Sequence, residues 1–226
     1  MNNVHKLKNI PLELDLKNLI KKAPQLQGAE TKLAELKHLL APSLYWMQLP
    51  VTSHTSKQVV LGQGKFKLTS HYLSLGLAGS SEVTLLAATI GKKLPEYSNK
   101  CLQRGDLWEG TIADIFGSYA VEALVDKLQK HLQQMFLPKG LYPTLRFSPG
   151  YGDWPLTAQQ EMIALLETEP EITVTESFFL QPVKSVTAAL GWSPTQTQKG
   201  YPTIDKKTFC QRNTTCEYCQ TQACRF

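Results

Sequence analysis

The segment from Arg146 to Trp154 combines side chains that suit a small charged ligand with an aromatic part. The planar guanidinium of Arg146 presents a fork of donors for a carboxylate or a phosphate. Gly150 lets a ligand approach the backbone closely, and Tyr151 and Trp154 offer ring faces for a purine or a cation. A zwitterionic, sulfonium-bearing adenosine would require all of these groups. The same residue types also form structural turns, in which the arginine pairs with a carboxylate and the aromatic rings are buried.

A second chemical feature is a cluster of cysteines near the C-terminus, separated by five, two and four residues: Cys210, Cys216, Cys219 and Cys224. Thiolates at this spacing can converge on one metal, and four sulfur ligands suit either zinc or an iron-sulfur cluster. A cluster would supply electrons, whereas zinc would fold the tail. The alternative is a flexible tail with free thiols. Cys101 stands apart and is expected to be an ordinary buried thiol.

Length and composition indicate an ordinary globular protein of 226 residues, with 42% hydrophobic and 19% charged residues. The net charge of +5 is spread along the chain, so nucleic-acid binding is not expected. No stretch has the roughly 20 apolar residues of a membrane span, and no signal peptide is evident, so we expect a cytoplasmic protein. Five lysines are expected on the solvated face of an amphipathic N-terminal helix: Lys6, Lys8, Lys17, Lys21 and Lys22.

Apolar periodicity predicts an α+β fold with a largely antiparallel sheet and a long central helix. The predicted elements are a helical lead-in at 11–41, strands and a hairpin within 43–68, a short helix near 70–77, a buried strand at 83–90, the long helix at 106–137, a helix starting with a capping box at 157–160, and strands at 172–180 and 183–190. A boundary near Asp205 divides the chain into a domain at 1–205 and a cysteine-rich metal-binding tail at 206–226.

Two ordered motifs and a helix carry a resemblance to a known family. The first motif is Arg146-x-x-x-Gly150-Tyr151, with a proline at Pro149. The second is the run at 174–177, Val-Thr-Glu-Ser, followed by Pro182 and by Ser-Val-Thr at 185–187. The helical run at 123–128 precedes them. Together these blocks resemble the activation domain of cobalamin-dependent methionine synthase, in the manner of its short, free-standing relatives.

The resemblance implies roles for individual residues. Arg146, with Ser148, Pro149 and Gly150, would hold the amino-acid end of S-adenosylmethionine, and Tyr151 would lie near the sulfonium. Glu176 and Ser177 match the second motif and are expected either at the ligand or in the architecture around it. The loop continues as Gly-Asp-Trp-Pro at 152–155, where the family has Pro-Ala-Cys-Pro, so one wall of the pocket should differ. The segment at 191–194 is expected to lead into a short tail.

The resemblance also implies an activity and partners. The chain would support reductive methylation of cobalamin carried by a partner corrinoid protein or cobalamin-dependent methyltransferase, with flavodoxin or ferredoxin as a possible electron donor. Methyl transfer to cobalt needs no general acid or base, so no catalytic side chain is expected. The alternatives are a non-catalytic adaptor that docks on a corrinoid protein, and an S-adenosylmethionine-dependent methyltransferase with another substrate. The Gly-rich loop of common methyltransferases is absent, which disfavours the last.

Overall fold

A computed structural model describes residues 3–195 of the chain, which fold into a sheet with helices on both faces. The strands are β1 (His5–Lys8), β2 (Ser43–His54), β3 (Gln58–Leu61), β4 (Phe66–Thr69), β5 (Glu82–Thr89), β6 (Tyr142–Phe147), β7 (Thr173–Val174), β8 (Leu180–Gln181) and β9 (Ser185–Ser193). The helices are α1 (Leu16–Lys22), α2 (Glu30–Leu36), α3 (His71–Gly76), α4 (Lys93–Gln103), α5 (Leu107–Phe136) and α6 (Ala158–Leu166).

Seven strands form the main sheet in the order β4-β3-β2-β5-β9-β6, and β1 pairs with the beginning of β2. All of the pairings are antiparallel. The remaining strands, β7 and β8, form a small hairpin that leads into β9. The edge strand β6 therefore lies beside β9. Because the two strands are antiparallel, the end of β6 lies near the beginning of β9.

The sheet is apolar on both faces because each face packs against helices. Alternate residues of β9 show this: Ala188 and Leu190 belong to the core beneath α5, whereas Ala189 belongs to the core on the opposite face. Helices α1, α2 and α5 cover the first face, and α3 and α6 cover the second. Such two-sided burial explains why β5 and β9 read as nearly continuous apolar runs.

The long helix α5 has 30 residues and crosses the sheet. It begins after Asp106, whose side chain accepts a hydrogen bond from the Glu109 amide at 3.1 Å, and it ends at Phe136 before a short turn that contains Pro138. Buried residues recur along one face at helical spacing, among them Ile112, Phe116, Ala120, Leu124, Leu128 and Leu132. This helix supplies one wall of the candidate site.

The start of α5 is fastened to its neighbours by one carboxylate. Glu109, with a side chain only 12% exposed, pairs with Lys32 at 2.6 Å and with Arg104 at 3.1 Å, and it accepts a hydrogen bond from the Tyr97 hydroxyl. The Lys32 and Tyr97 hydrogen bonds outweigh desolvation and lower the pKa of Glu109 to about 2. Arg104 also lies 3.7 Å from Asp106. These contacts lie at the end of α5 away from the Arg146 segment.

The predicted fold class is confirmed: the fold is α+β with a mostly antiparallel sheet and a long central helix. The hairpin of β3 and β4, the buried strand β5 and the extent of α5 also agree with expectation. Cys101 is fully buried, as predicted for an ordinary thiol. Helix α6 begins where the capping box was predicted, although the Thr157 side chain makes no capping hydrogen bond.

Four expectations about individual elements were wrong. Lys6 and Lys8 lie on β1 rather than on a helix, and only the later lysines of that cluster lie on α1. The stretch at 172–180 is a short hairpin and not one strand, because its middle turns at 175–179. Strand β6 and helix α4 lie where no element was predicted. Finally, β9 continues to Ser193 and does not end at 190 as predicted, and Trp192 lies in the core.

Two further expectations concern membranes and the tail. Within residues 3–195, no helix combines the length and the apolar character that crossing a bilayer requires. The boundary near Asp205 and the cysteine-rich segment at 206–226 lie outside the described residues. The division of the chain into two domains therefore stays a prediction.

Candidate functional site

A β-bulge in β6 determines which way Arg146 faces. Pro143 pairs with Trp192, and the next pair along the ladder is Arg146 with Leu190, so β6 has one more residue than β9 over this interval. The hydroxyl of Thr144 occupies the irregularity and accepts a hydrogen bond from the Gly191 amide at 2.9 Å. A regular ladder would have set Leu145 opposite Leu190. The extra residue turns Arg146 to the face that α5 covers and leaves Leu145 46% exposed.

Two carboxylates of α5 hold the Arg146 guanidinium. Its Nη1 lies 2.7 Å from Oδ1 of Asp126, and its Nη2 lies 3.2 Å from Oε2 of Glu122. The two acids are four residues apart and therefore share one face of the helix. A guanidinium has five N–H groups, so these two contacts leave three donors for another acceptor. The two acids thus orient the arginine, whose side chain is 24% exposed.

The three charges do not cancel. The formal sum over Arg146, Glu122 and Asp126 is one negative charge when both acids are ionised. Desolvation raises the pKa of Glu122, the attraction of Arg146 opposes this, and repulsion from Asp126 adds to it. Although 46% of the Glu122 side chain remains exposed, the net shift is upward. The site thus carries surplus negative charge around one fixed cation.

The loop after β6 closes on itself through backbone hydrogen bonds. The Gly150 amide donates to the Trp154 carbonyl at 2.8 Å, the Tyr151 amide to the Ser148 carbonyl at 3.3 Å, and the Trp154 amide to the Tyr151 carbonyl at 3.1 Å. Gly150 is exposed and has a φ of +92°, a conformation that L side chains rarely adopt. Because these amides are used within the loop, Arg146 is the stronger donor toward a ligand carboxylate.

The loop segment at 152–155 has a structural role. Trp154 is 3% exposed and belongs to the core under α3 and α6, so its ring offers no face to a ligand. Asp153 accepts hydrogen bonds from the Ser70 hydroxyl and from the His71 and Tyr72 amides, the latter two at 2.7 and 3.3 Å. Desolvation would raise the pKa of Asp153, but these bonds outweigh it and lower the pKa. The loop is thereby tied to the start of α3.

Replacing Asp153 with alanine is expected to lower the free energy of unfolding by about 1–2 kcal/mol, because three donors at the start of α3 lose their acceptor. It should also weaken ligand binding at the Arg146 loop, since the loop loses its anchor. Urea unfolding and calorimetry measure the two effects. Asp15→Ala is the matched control, because Asp15 caps α1 through the Asn18 amide at 3.0 Å. A variant of Asp153 that loses stability but binds ligand normally would contradict the anchoring role.

The second motif lies at the tip of the β7–β8 hairpin. Glu176 and Ser177 are exposed in the turn, which is closed by the Phe178 amide donating to the Thr175 carbonyl at 2.9 Å. Phe179, beside them, is 62% exposed. The carboxylate partners of Arg146 come from α5 and not from Glu176. The hairpin leads into the beginning of β9. The Arg146 loop leaves β6 at the same end of β9, because the two strands are antiparallel.

A second ion pair continues the seam between α5 and β9. Lys184 lies 2.8 Å from Asp114 and donates to the Ser118 hydroxyl at 2.8 Å. Asp114, Ser118, Glu122 and Asp126 follow one another at four-residue steps and form one stripe along α5. The pair at the Lys184 end is formally neutral, so the surplus negative charge is at the Arg146 end.

Sequence reasoning named Arg146 but missed Glu122. Asp126 was noticed only as part of the helical run at 123–128. The signal was available, because two acids four residues apart on a predicted helix share a face. The sequence does not show that this face of α5 packs over the edge strand β6. Of the predicted ligand residues, the structure brings Ser148, Pro149, Gly150 and Tyr151 together in one loop beside Arg146, with Pro149 buried.

Two open depressions lie elsewhere on the described part of the molecule. One, of about 250 Å³, is lined by Leu26, Trp108 and Ile115, among others, and the other, of about 540 Å³, by Met47, Lys65 and Leu165, among others. Neither is lined by Arg146 or its loop. We therefore assign the candidate site from its charges and donors and not from its depth. Among residues 3–195, no group of three or more histidine, cysteine or acidic side chains could hold a metal ion.

Comparison with known proteins bears on the fold. No family model matches the chain, and no curated protein sequence does. Among solved structures, the crystal structure of the MetH reactivation domain bound to AdoHcy superimposes with a TM-score of 0.62, over 87% of this chain and 80% of that chain. The fold is similar to that of the MetH reactivation domain. The identity is 14%, so the likeness concerns the fold alone.

Proposed function

We propose that this chain binds S-adenosylmethionine at the Arg146 loop and supports reductive methylation of cobalamin on a partner protein. One observation carries the proposal. The motif from Arg146 to Tyr151 occupies the junction of an edge strand and a tight loop, where α5 acids orient the guanidinium, in a fold similar to that of a domain crystallised with AdoHcy. AdoHcy, S-adenosylhomocysteine, is what remains of S-adenosylmethionine after its methyl group has left.

The donor set of the loop suits this ligand. Arg146 has three unused N–H groups, which can bind the ligand carboxylate, and Gly150 has no side chain to obstruct the approach to the loop. Ser148 is partly exposed and offers a hydroxyl, while buried Pro149 stiffens the turn. Tyr151 is half-buried and is proposed to flank the sulfonium. Glu176 and Ser177 are candidates for a second wall, on the hairpin that leads into β9.

Bound S-adenosylmethionine supplies an activated methyl group. The contribution of this chain is to hold the donor by its amino-acid end and to aim the methyl group at the cobalt of a partner's cobalamin. The partner is a corrinoid protein or cobalamin-dependent methyltransferase, and a flavodoxin or ferredoxin supplies the electron that returns the cobalt to its nucleophilic state. No side chain of this chain needs to move a proton.

The cysteine-rich tail is proposed to bind zinc or an iron-sulfur cluster through Cys210, Cys216, Cys219 and Cys224, which lie outside the described residues. An iron-sulfur cluster would give this chain an electron carrier of its own, whereas zinc would serve only to fold the tail. Metal analysis of anaerobically purified protein, together with its visible spectrum, distinguishes the two.

A second candidate is a non-catalytic adaptor that docks on a corrinoid protein without a ligand. The observation in its favour is that Arg146 and the loop amides already have partners within the chain. That arrangement is the one expected of a purely structural turn.

Calorimetry separates the two candidates. We expect saturable, one-to-one binding of S-adenosylmethionine to the purified chain, and no heat of binding at millimolar ligand would favour the adaptor. The second stage is methyl transfer from labelled S-adenosylmethionine to chemically reduced cobalamin, with and without this chain. Binding without any acceleration of methyl transfer would limit the function to ligand binding.

A further inference from the structure

The charges along the stripe of α5 that faces β6 and the start of β9 are unequally balanced, and this imbalance affects which form of the ligand the site prefers. At the Arg146 end, two carboxylates face one guanidinium, so the formal sum is one negative charge. At the other end, Lys184 and Asp114 cancel. The surplus is therefore local to the point where the proposed ligand would bind.

The two forms of the ligand differ by one charge close to this point. S-adenosylmethionine carries a sulfonium, an ammonium and a carboxylate, a net charge of plus one. S-adenosylhomocysteine carries a neutral thioether and is a zwitterion with no net charge. In both, the sulfur is joined to the carboxylate carbon through a chain of three carbons. A carboxylate bound at Arg146 thus keeps the sulfur within several ångströms of the acids that flank the guanidinium.

We infer that Glu122 and Asp126 make the site selective for the charge of the methyl donor, so that the sulfonium form binds more tightly than the thioether product. The inference rests on the proposed function. Removal of the methyl group removes the positive charge that the two carboxylates attract, which favours release of the product. These acids are specificity-determining residues of the site, with a role beyond that of supporting Arg146.

A purely orienting role predicts a different result, because the loss of either acid would then weaken both ligands alike. Each acid makes a single contact, to a different guanidinium nitrogen, so each can be removed while the other still holds Arg146. Two carboxylates that face one guanidinium leave one formal negative charge, and the inference assigns that charge to attraction of a ligand cation.

Titration calorimetry with both ligands tests the inference on the full chain. For the wild type, we expect S-adenosylmethionine to bind about tenfold more tightly than S-adenosylhomocysteine, the effect of one partly screened charge at several ångströms. Glu122→Gln and Asp126→Asn should each reduce this ratio about threefold, and the double variant should abolish it. Affinity for S-adenosylhomocysteine should stay the same or rise, because Arg146 loses a competing acceptor.

Asp114→Asn is the matched control, because it removes an acid from the same stripe of α5 at the neutral end. Its selectivity ratio should equal that of the wild type. Thermal unfolding of each variant, compared with the wild type, verifies that the fold is retained. An unchanged ratio in the double variant, with both ligands bound, overturns the inference and leaves the proposed function intact. If the wild type binds neither ligand, the proposed function and the inference fail together.

Discussion

Replacing Arg146 with alanine is expected to weaken S-adenosylmethionine binding by about 30-fold or more, or about 2 kcal/mol. The loss has two physical sources. The ligand carboxylate loses a charge-assisted hydrogen-bonding partner, and Glu122 and Asp126 lose the cation that lies 3.2 and 2.7 Å from them. Arg146→Lys should recover only part of the affinity, because an ammonium retains the charge but not the planar fork. Calorimetry at fixed ionic strength measures both variants.

Arg104→Ala is the matched control for this prediction. Arg104 is also an arginine held by two acids of the α5 region, Glu109 at 3.1 Å and Asp106 at 3.7 Å, but it lies at the start of the helix, whereas Arg146 contacts the middle. The Arg104→Ala variant should therefore bind ligand as the wild type does. Equal affinity in the wild type and in Arg146→Ala would eliminate the proposed binding site, even if the ligand binds elsewhere.

The largest expected effect on stability is at Trp192. Its side chain is fully buried, its ring stacks on Phe136 with centroids 4.2 Å apart, and its indole N–H donates to the Thr84 hydroxyl at 2.8 Å. Trp192→Ala should lower the free energy of unfolding by about 3–5 kcal/mol, through lost burial and a residual cavity. Trp192→Phe should cost about 1–2 kcal/mol, because Thr84 loses a hydrogen-bond partner.

Urea unfolding followed by far-UV circular dichroism measures these differences. Trp108→Ala is the control, because 56% of Trp108 is exposed, and it should change the free energy of unfolding by less than about 0.5 kcal/mol. A loss below about 1 kcal/mol for Trp192→Ala would mean that β9 does not end in the core. Because Trp192 pairs with Pro143 at the start of the bulge, its loss should also disturb the orientation of Arg146.

Long, strongly periodic elements could be predicted from the sequence. The repeat of Ile112, Phe116, Leu124 and Leu128 identifies α5, and a nearly continuous apolar run identifies β5 as buried on both faces. The short polar strand β1 could not be predicted in this way. All four of its residues are exposed, and it is fastened by ladder pairing with β2 and by ion pairs of Lys6 and Lys8 with Glu167 and Glu171. Such contacts leave no periodic signature.

The candidate site was predictable to the extent that it lies in one continuous segment. Arg146, Gly150 and Tyr151 stand within six residues, so their motif is visible in the chain. The facing direction of Arg146 depends on a bulge opposite Gly191, and its partners come from a helix 20 and 24 residues earlier. The role of Trp154, at a ligand or in the core, stayed open for a related reason. Nothing in the loop itself indicates that α3 and α6 enclose the ring.

The measurement that tests the central claim most directly is a crystal structure of the full chain soaked or co-crystallised with S-adenosylhomocysteine. We predict electron density for the ligand on the surface between α5 and the loop at 148–154, with its carboxylate within hydrogen-bonding distance of the Arg146 guanidinium and its sulfur near Tyr151. Ligand density at a different part of the molecule, with Arg146 still held by Glu122 and Asp126 alone, would contradict the account.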